Sequence, residues 1–215
     1  MKRILALSGI VLAASNAMAL TLLTSRAQIT EQAYIDWGQV GADGVYVASP
    51  HVVQTSLDVF NAKVTTKTNM ARYTEGISAL GNFAIGDNLL HGGFDGGAMT
   101  IRLAKTVSDF GTQFQRNAYG AFQVKITAFD GLDNSLGSFI VNGNAGGNQN
   151  NSAVFAGVHS AISDILSVKM EMVDGSDFLI NKVSLNGCSP VPEPASMSAL
   201  ALGVAGLIRR KMKKS

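Results

Sequence analysis

The sequence predicts an all-β protein: an antiparallel β-sandwich, jelly-roll-like in connectivity, flanked by an N-terminal signal helix and a C-terminal transmembrane helix. Three observations carry that expectation. Gly120 to Asp130 alternates strictly, with Phe122, Val124, Ile126 and Ala128 on one face and Gln123, Lys125 and Thr127 on the other. That is the pattern of a half-buried antiparallel strand. Other short strand candidates recur with turn residues between most of them at about ten-residue spacing, as in sandwiches and barrels. Helical periodicity is scarce between the two ends: only 71–80 offers a turn or two, and no internal repeat is visible.

In chain order, the first element is an export signal. Met1 is followed by Lys2 and Arg3, then by an apolar run from Ile4 to Ala14 interrupted only by Ser8 and Gly9. Ala17-Met18-Ala19 supplies the small-x-small pattern read by signal peptidase, so cleavage is expected after Ala19, leaving Leu20 as the mature N-terminus. Residues 20–187 form one domain of 168 residues, long enough to enclose a core. Its strand candidates are Gly44–Ala48, Val52–Phe60, Ala62–Thr66, Met99–Ala104, Gly120–Asp130, Gly137–Val141, Val154–Gly157, Ile165–Val173 and Phe178–Leu185. Asp130 to Ser135 reads as the turn of a hairpin, and the Gly/Asn-rich stretch Asn142–Asn151 as a loop.

A linker, 188–194, follows and contains Val191-Pro192-Glu193-Pro194. Ala195 to Ile208 is an apolar run of 14 residues, and 209–215 is a basic tail with Arg209, Arg210, Lys211, Lys213 and Lys214. The run is shorter than the roughly 20 residues of a comfortable span, but flanking residues and local bilayer thinning accommodate the difference. The positive-inside rule keeps the tail cytoplasmic and places the domain on the outer side of the inner membrane, the orientation the signal peptide also predicts. This triplet, short apolar helix and basic tail resemble the PEP-CTERM sorting signal, over about the last 25 residues. The resemblance implies a Gram-negative host, transient anchoring in the inner membrane, and an exosortase. That enzyme would cut near Pro192-Glu193-Pro194 and release the domain to the cell surface or extracellular matrix.

A second resemblance runs from about Met99 to Leu185. Met99-Thr100-Ile101-Arg102-Leu103 followed by Val107-Ser108-Asp109-Phe110-Gly111 is similar to a segment of PEP-CTERM passenger domains in which one strand leads into another through a Val-x-x-Phe-Gly turn. Phe139, Ser152–Val158 and Phe178–Val183 continue the same order. Where that family commonly has Ile-Asp, this chain has Ile180-Asn181.

Charge narrows the function. Seven of the 17 basic residues and one of the 15 acidic residues, Glu193, lie in the terminal segments. The body keeps ten basic and 14 acidic residues, net −4, which gives no footprint for nucleic acid. Cys188 is the only cysteine, so no intramolecular disulfide exists; it reads as an incidental linker residue.

The chemistry-bearing residues are sparse. His51, His91 and His159 have no partner at metal-ligand spacing. His51 reads as an edge residue and His159 as a loop residue. His91-Gly92-Gly93-Phe94 is reminiscent of an esterase oxyanion loop, but no Gly-x-Ser-x-Gly elbow accompanies it, and His91–Gly97 reads as a glycine-rich loop. Gly143–Gly147 lacks the Lys-Ser/Thr ending of a phosphate loop. The body has three glutamates, Glu31, Glu75 and Glu171, and no short carboxylate cluster. No catalytic residue is assigned.

Two turn pairs, Asp130 with Asp133 and Asp174 with Asp177, are the candidate ligands for a structural calcium, the one cofactor considered. Candidate glycan contacts are Tyr34 and Trp37, on opposite faces if that segment is extended, and Asn148 and Asn150 in the Asn-rich loop. Trp37 also fits a core position. The leading expectation is an exported, non-enzymatic surface or matrix protein that binds carbohydrate. The alternative is a secreted polysaccharide-acting hydrolase whose carboxylate pair is unidentified. The partners are signal peptidase, exosortase, the inner membrane in passing, and extracellular polysaccharide.

Overall fold

A strand buries backbone amides only by pairing them, and this chain pairs about half of its described residues into two antiparallel sheets. The computed structural model describes residues 20–56, 60–92 and 96–188. The signal segment with Ala17 and Ala19, the Pro192-Glu193-Pro194 motif, the 195–208 helix and the basic tail lie outside the described residues. Among the described residues no helix is long and apolar enough to cross a membrane.

The strands are β1 (Thr21–Leu23), β2 (Ala33–Ile35), β3 (Tyr46–Val47), β4 (His51–Gln54), β5 (Asn61–Thr65), β6 (Met70–Thr74), β7 (Asn88–Gly92) and β8 (Met99–Val107). They continue as β9 (Asp109–Arg116), β10 (Gly120–Phe129), β11 (Ser135–Ala145), β12 (Val154–His159), β13 (Ile165–Met172), β14 (Phe178–Ile180) and β15 (Val183–Asn186). Six form one sheet in the order β11-β10-β13-β8-β5-β4. Nine form the other, in the order β1-β12-β9-β14-β7-β6-β3, with β15 pairing both β9 and β2. From β8 the chain passes between the sheets at β8–β9, β9–β10, β11–β12, β12–β13 and β13–β14, the jelly-roll-like traffic expected.

The predicted β10–β11 hairpin forms. Val124 faces Val141 and Ile126 faces Phe139 across the ladder. Phe122, Val124, Ile126 and Ala128 are all buried, while Gln123 is exposed. The core between the sheets joins them to Trp37, Phe110, Phe114, Phe178 and Met99. At the hairpin tip, Asp130 accepts hydrogen bonds from the Leu132 and Asn134 amides at 2.8 and 2.9 Å, an Asx-type turn.

Several expectations are corrected. Residues 142–145 are not loop: β11 runs on to Ala145, because Gly120 to Gln123 of β10 offer partners that far. Residues 71–80 hold no helix; 70–74 are β6, paired on both sides, and a turn follows. His91 and Gly92 belong to β7, not to a loop. His159 ends β12, where its Nδ1 meets the buried Asp109 carboxylate. The Phe178–Leu185 candidate is two strands, broken at Asn181-Lys182. Cys188 packs against the core, and burial pushes its thiol pKa up.

Candidate functional site

The break between β14 and β15 organises the face of the nine-stranded sheet that points away from the core. β9 runs unbroken along it. Its C-terminal half pairs with β14, which continues to β7; its N-terminal half pairs with β15, which continues to β2. The sheet therefore forks at Asn181. A fork leaves ladder groups without partners, and three side chains supply them, Thr112 Oγ1 donating to the Asn181 carbonyl at 2.9 Å. Trp37, fully buried at the start of the 3-10 turn Trp37–Val40, donates its indole N–H to the Asn181 carbonyl at 2.8 Å. The Asn181 side chain takes the Gln113 amide at 3.2 Å, in place of a strand neighbour.

Asn181 is the centre of a dense polar network. Its Oδ1 also accepts from Arg26 Nη2 at 2.9 Å. Its Nδ2 donates to Asp87 Oδ2 at 2.9 Å and to Gln113 Oε1 at 2.6 Å. Gln113 Nε2 continues to Asn151 Oδ1 at 3.0 Å. Asp36 accepts from the Gly38 amide at 2.7 Å and from Asn88 Nδ2 at 2.8 Å. A side chain at Gly38 would meet both groups at under 3 Å, which explains the glycine. Arg26 sits in the short 3-10 helix Arg26–Gln28, capped by Ser25 and Gln28 in a reciprocal capping box. Its guanidinium lies 5.4 Å from the Phe155 ring centroid. Burial lowers the Arg26 pKa, opposed by Glu31 and Asp87.

Of these groups Arg26, Asp36, Asp87, Gln113, Asn151, Phe155 and Asn181 line an open cleft of about 620 Å³, together with Thr24, Ser25 and Lys182. Planar amides and carboxylates fixed by mutual bonds present ordered donors and acceptors to anything that enters.

The sequence-predicted residues fare unevenly. Trp37 is no surface platform: it lies in the core, below the fork. Tyr34 is partly exposed on β2, with the Lys182 amine 5.0 Å from its ring centroid, so it stands behind the cleft edge. Asn148 donates its amide to Asn82, and Asn150 caps Ser152; neither lines the cleft, although the next residue, Asn151, does. The four aspartates are engaged by the protein's own donors. Asp130 is held by Asn134, whose side chain lowers its pKa. Asp133 pairs with Arg102, Asp174 with Ser176 and Arg116, and Asp177 with His91 and Asn117. Among the described residues no group of three or more His, Cys, Asp or Glu could hold a metal ion.

The sequence reading missed Arg26, Asp36, Asp87, Gln113 and Phe155. Two local signals existed: the Ser25-x-x-Gln28 capping box, and the Ile180-Asn181 departure from the resembled family. Asparagine at 181 donates to Asp87, which an aspartate could not do.

Residues 190–213 match the PEP-CTERM protein-sorting family. They are a PEP-CTERM sorting motif. The PEP-CTERM motif implies an exosortase as processing partner, and export to the cell surface or extracellular space of a Gram-negative bacterium. No curated protein matches the chain. Solved structures similar to it include a DUF4465 family protein from Bacteroides caccae, at 9% identity and a TM-score of 0.43, covering 77% of this chain and 100% of that one. Another is CsCBM6-3 from Clostridium stercorarium in complex with cellobiose, at 7% identity and a TM-score of 0.34, covering 68% of this chain and 97% of that one. The fold assignment rests on the strand pairing of this chain itself.

Proposed function

We propose that this protein is a non-enzymatic carbohydrate-binding component of the cell surface or extracellular matrix, delivered by signal peptidase and exosortase and binding glycan in the fork cleft. The observation that carries the binding reading is the ring of fixed amides and charges at the fork. Adjacent hydroxyls of a sugar both donate and accept, and the cleft offers acceptors on Asp36 and Asp87 and donors on Arg26, Asn151 and Lys182. Arg26, held by Asn181 and the Lys182 carbonyl, adds a charged planar donor that is already ordered, so little side-chain entropy is lost on binding.

A hydrolytic reading draws on one observation: Asp36 and Asp87 line the same cleft. Both carboxylates are spent on structure, Asp36 on Gly38 and Asn88, Asp87 on Asn181 and the Ala84 amide. Binding is therefore favoured over bond cleavage.

The test uses a glycan array with the full chain in detergent, beside Thr24→Trp, which places a large side chain at the exposed cleft edge. Binding to at least one oligosaccharide, lost in Thr24→Trp, is expected. Release of new reducing ends from a bound glycan would replace the binding reading with the hydrolase. Delivery is tested separately in the host. The released form should begin at Leu20, and changing Pro192-Glu193-Pro194 to alanines should leave a larger, membrane-held form. The apolar helix cannot leave the bilayer unaided, since each buried CH₂ is worth about 0.8 kcal/mol.

A further inference from the structure

The same outer face carries a second hollow, of about 250 Å³, on the far side of the segment around Phe83: Phe83 lines the hollow and the next residue, Ala84, lines the fork cleft. Its floor is a cross-strand row, His91 of β7, Leu179 of β14 and Gln115 of β9. Phe83 and Leu89 make the floor apolar, and Tyr119, mostly exposed, reaches over Gly147 to the Leu80 carbonyl at 3.4 Å. Glu75 closes the inner end.

Glu75 is the unusual group. It is fully buried. Its Oε1 accepts the Gly81 amide at 2.6 Å, while Oε2 makes no hydrogen bond. The Gln149 amide comes near enough to ease its titration without completing a bond to Oε2, and burial pushes the carboxyl above its ordinary range. A buried acceptor left open is costly, so a group of this kind calls for a function. Gly81 keeps the approach clear: a side chain there would stand 3.0 Å from Oε2.

We propose that this hollow is a second binding site, for a small neutral ring carrying hydroxyl groups, a single sugar residue, with Glu75 Oε2 as its innermost acceptor. Size excludes a chain, because 250 Å³ falls below the roughly 300–1,000 Å³ of sites for drug-sized ligands. Charge favours no ion of either sign, since the lining carries both Arg116 and Glu75. A hydroxylated ring meets both, donating to Glu75 and accepting from Arg116 or Asn117, with its apolar side against Phe83 and Leu89. The site shares no lining residue with the fork cleft and does not depend on it.

Saturation-transfer NMR on the full chain in detergent tests the proposal, with glucose, galactose, mannose and N-acetylglucosamine as probes and glucosamine and glucuronate as charged controls. At least one neutral sugar should bind. Leu80→Trp, at an exposed position on the rim, should abolish that signal. Glu75→Gln should weaken it at least tenfold, because the amide oxygen must stay on the Gly81 N–H and leaves a donor where Oε2 accepts. Thr24→Trp should leave it unchanged. No binding of a neutral sugar, tighter binding of either charged control, survival in Leu80→Trp, or an undiminished affinity in Glu75→Gln each overturns the proposal. Loss in Thr24→Trp alone would assign the signal to the fork cleft instead.

Discussion

The two sheets bury their strands differently, and that difference decides both what they do and how visible they are. In the six-stranded sheet β5 alternates exposed and buried residues without exception, and β10 and β11 nearly so. One face packs on the core and the other meets water. In the nine-stranded sheet β9 is buried at seven consecutive positions and β14 at all three. Its outer face is covered by the 75–87 and 146–153 segments, which add a second small core of Phe83, Leu89, Ala153 and Leu179. Polar residues trapped beneath them, Glu75, Gln113, Gln115 and Asn181, have to find partners there. The sheet with two covered faces holds both polar clefts, while the sheet with one wet face carries a hollow beside β10 and β11, lined by Ala121, Phe122, Gln123, Asn142 and Gly143.

The largest expected effects test whether the fork needs its wedge. Trp37→Ala should cost about 3–5 kcal/mol from packing alone. Trp37→Phe keeps most of the volume but removes one of the two hydrogen bonds to the Asn181 carbonyl, leaving that from Thr112 Oγ1, and should still cost about 0.5–1.5 kcal/mol. Ile126→Ala, the counterpart in the plain sheet, should cost about 2–5 kcal/mol. Urea melts give all three. A harmless Trp37→Phe would mean that the fork is held by the strands and not by the indole.

Asn181→Asp comes next. It would lose both donated bonds and face its carboxylate with Asp87. A cost of about 1–3 kcal/mol is expected at neutral pH. A carboxyl so placed has its folded pKa raised. The stability lost at pH 7 should therefore return as the pH falls below the folded value, and be complete below the unfolded one. A loss independent of pH would remove Asp87 from the argument.

These two regions also show why the sequence is half legible. The β10 strand announces itself because Phe122, Val124, Ile126 and Ala128 alternate with residues that stay wet. The strand β9, Asp109 to Arg116, has no alternation to read: both its faces are covered, and its outward positions carry Gln113 and Gln115 rather than apolar residues. It was legible only through the Val107-to-Gly111 resemblance. The β7 strand failed for a related reason, since His91 and Gly92 look like a loop until Asp177 and Met99 are seen beside them. The cleft was least visible. Arg26, Asp36, Asp87, Gln113 and Asn181 are scattered over more than 150 positions, and only the fork brings them together.

A subtler effect has the opposite sign. Burial raises the folded pKa of Glu75 above the ordinary value of 4.5, so the contribution of this one group to stability should be fully present below that value and be lost as the pH rises through the folded one. Glu75→Gln keeps the Gly81 bond, carries no charge, and should flatten that part of the profile. Thermal melts from pH 4 to pH 8 check it: the variant should be the more heat-resistant of the two at the high end. Variant and wild-type profiles that run parallel over the same range would show that Glu75 is not desolvated.

The smallest effect belongs to the wet face. Lys125 and Glu171 lie on adjacent strands with their charged atoms 3.9 Å apart, and Lys169 holds the same carboxylate at 2.8 Å. Lys125 is 41% exposed. At that distance and exposure the Coulomb attraction is screened by water and salt, and ordering a long side chain consumes much of what remains. Removing the amine leaves Glu171 still paired, so no buried charge is stranded. Lys125→Ala should therefore cost under about 0.5 kcal/mol, against several for Ile126→Ala one residue along. Adjacent residues with at least about a fourfold difference in cost are what a strand with one wet face requires. Were Lys125→Ala to cost more than about 1 kcal/mol, that face would have to be covered in solution, and the contrast between the two sheets would fail at its simplest point.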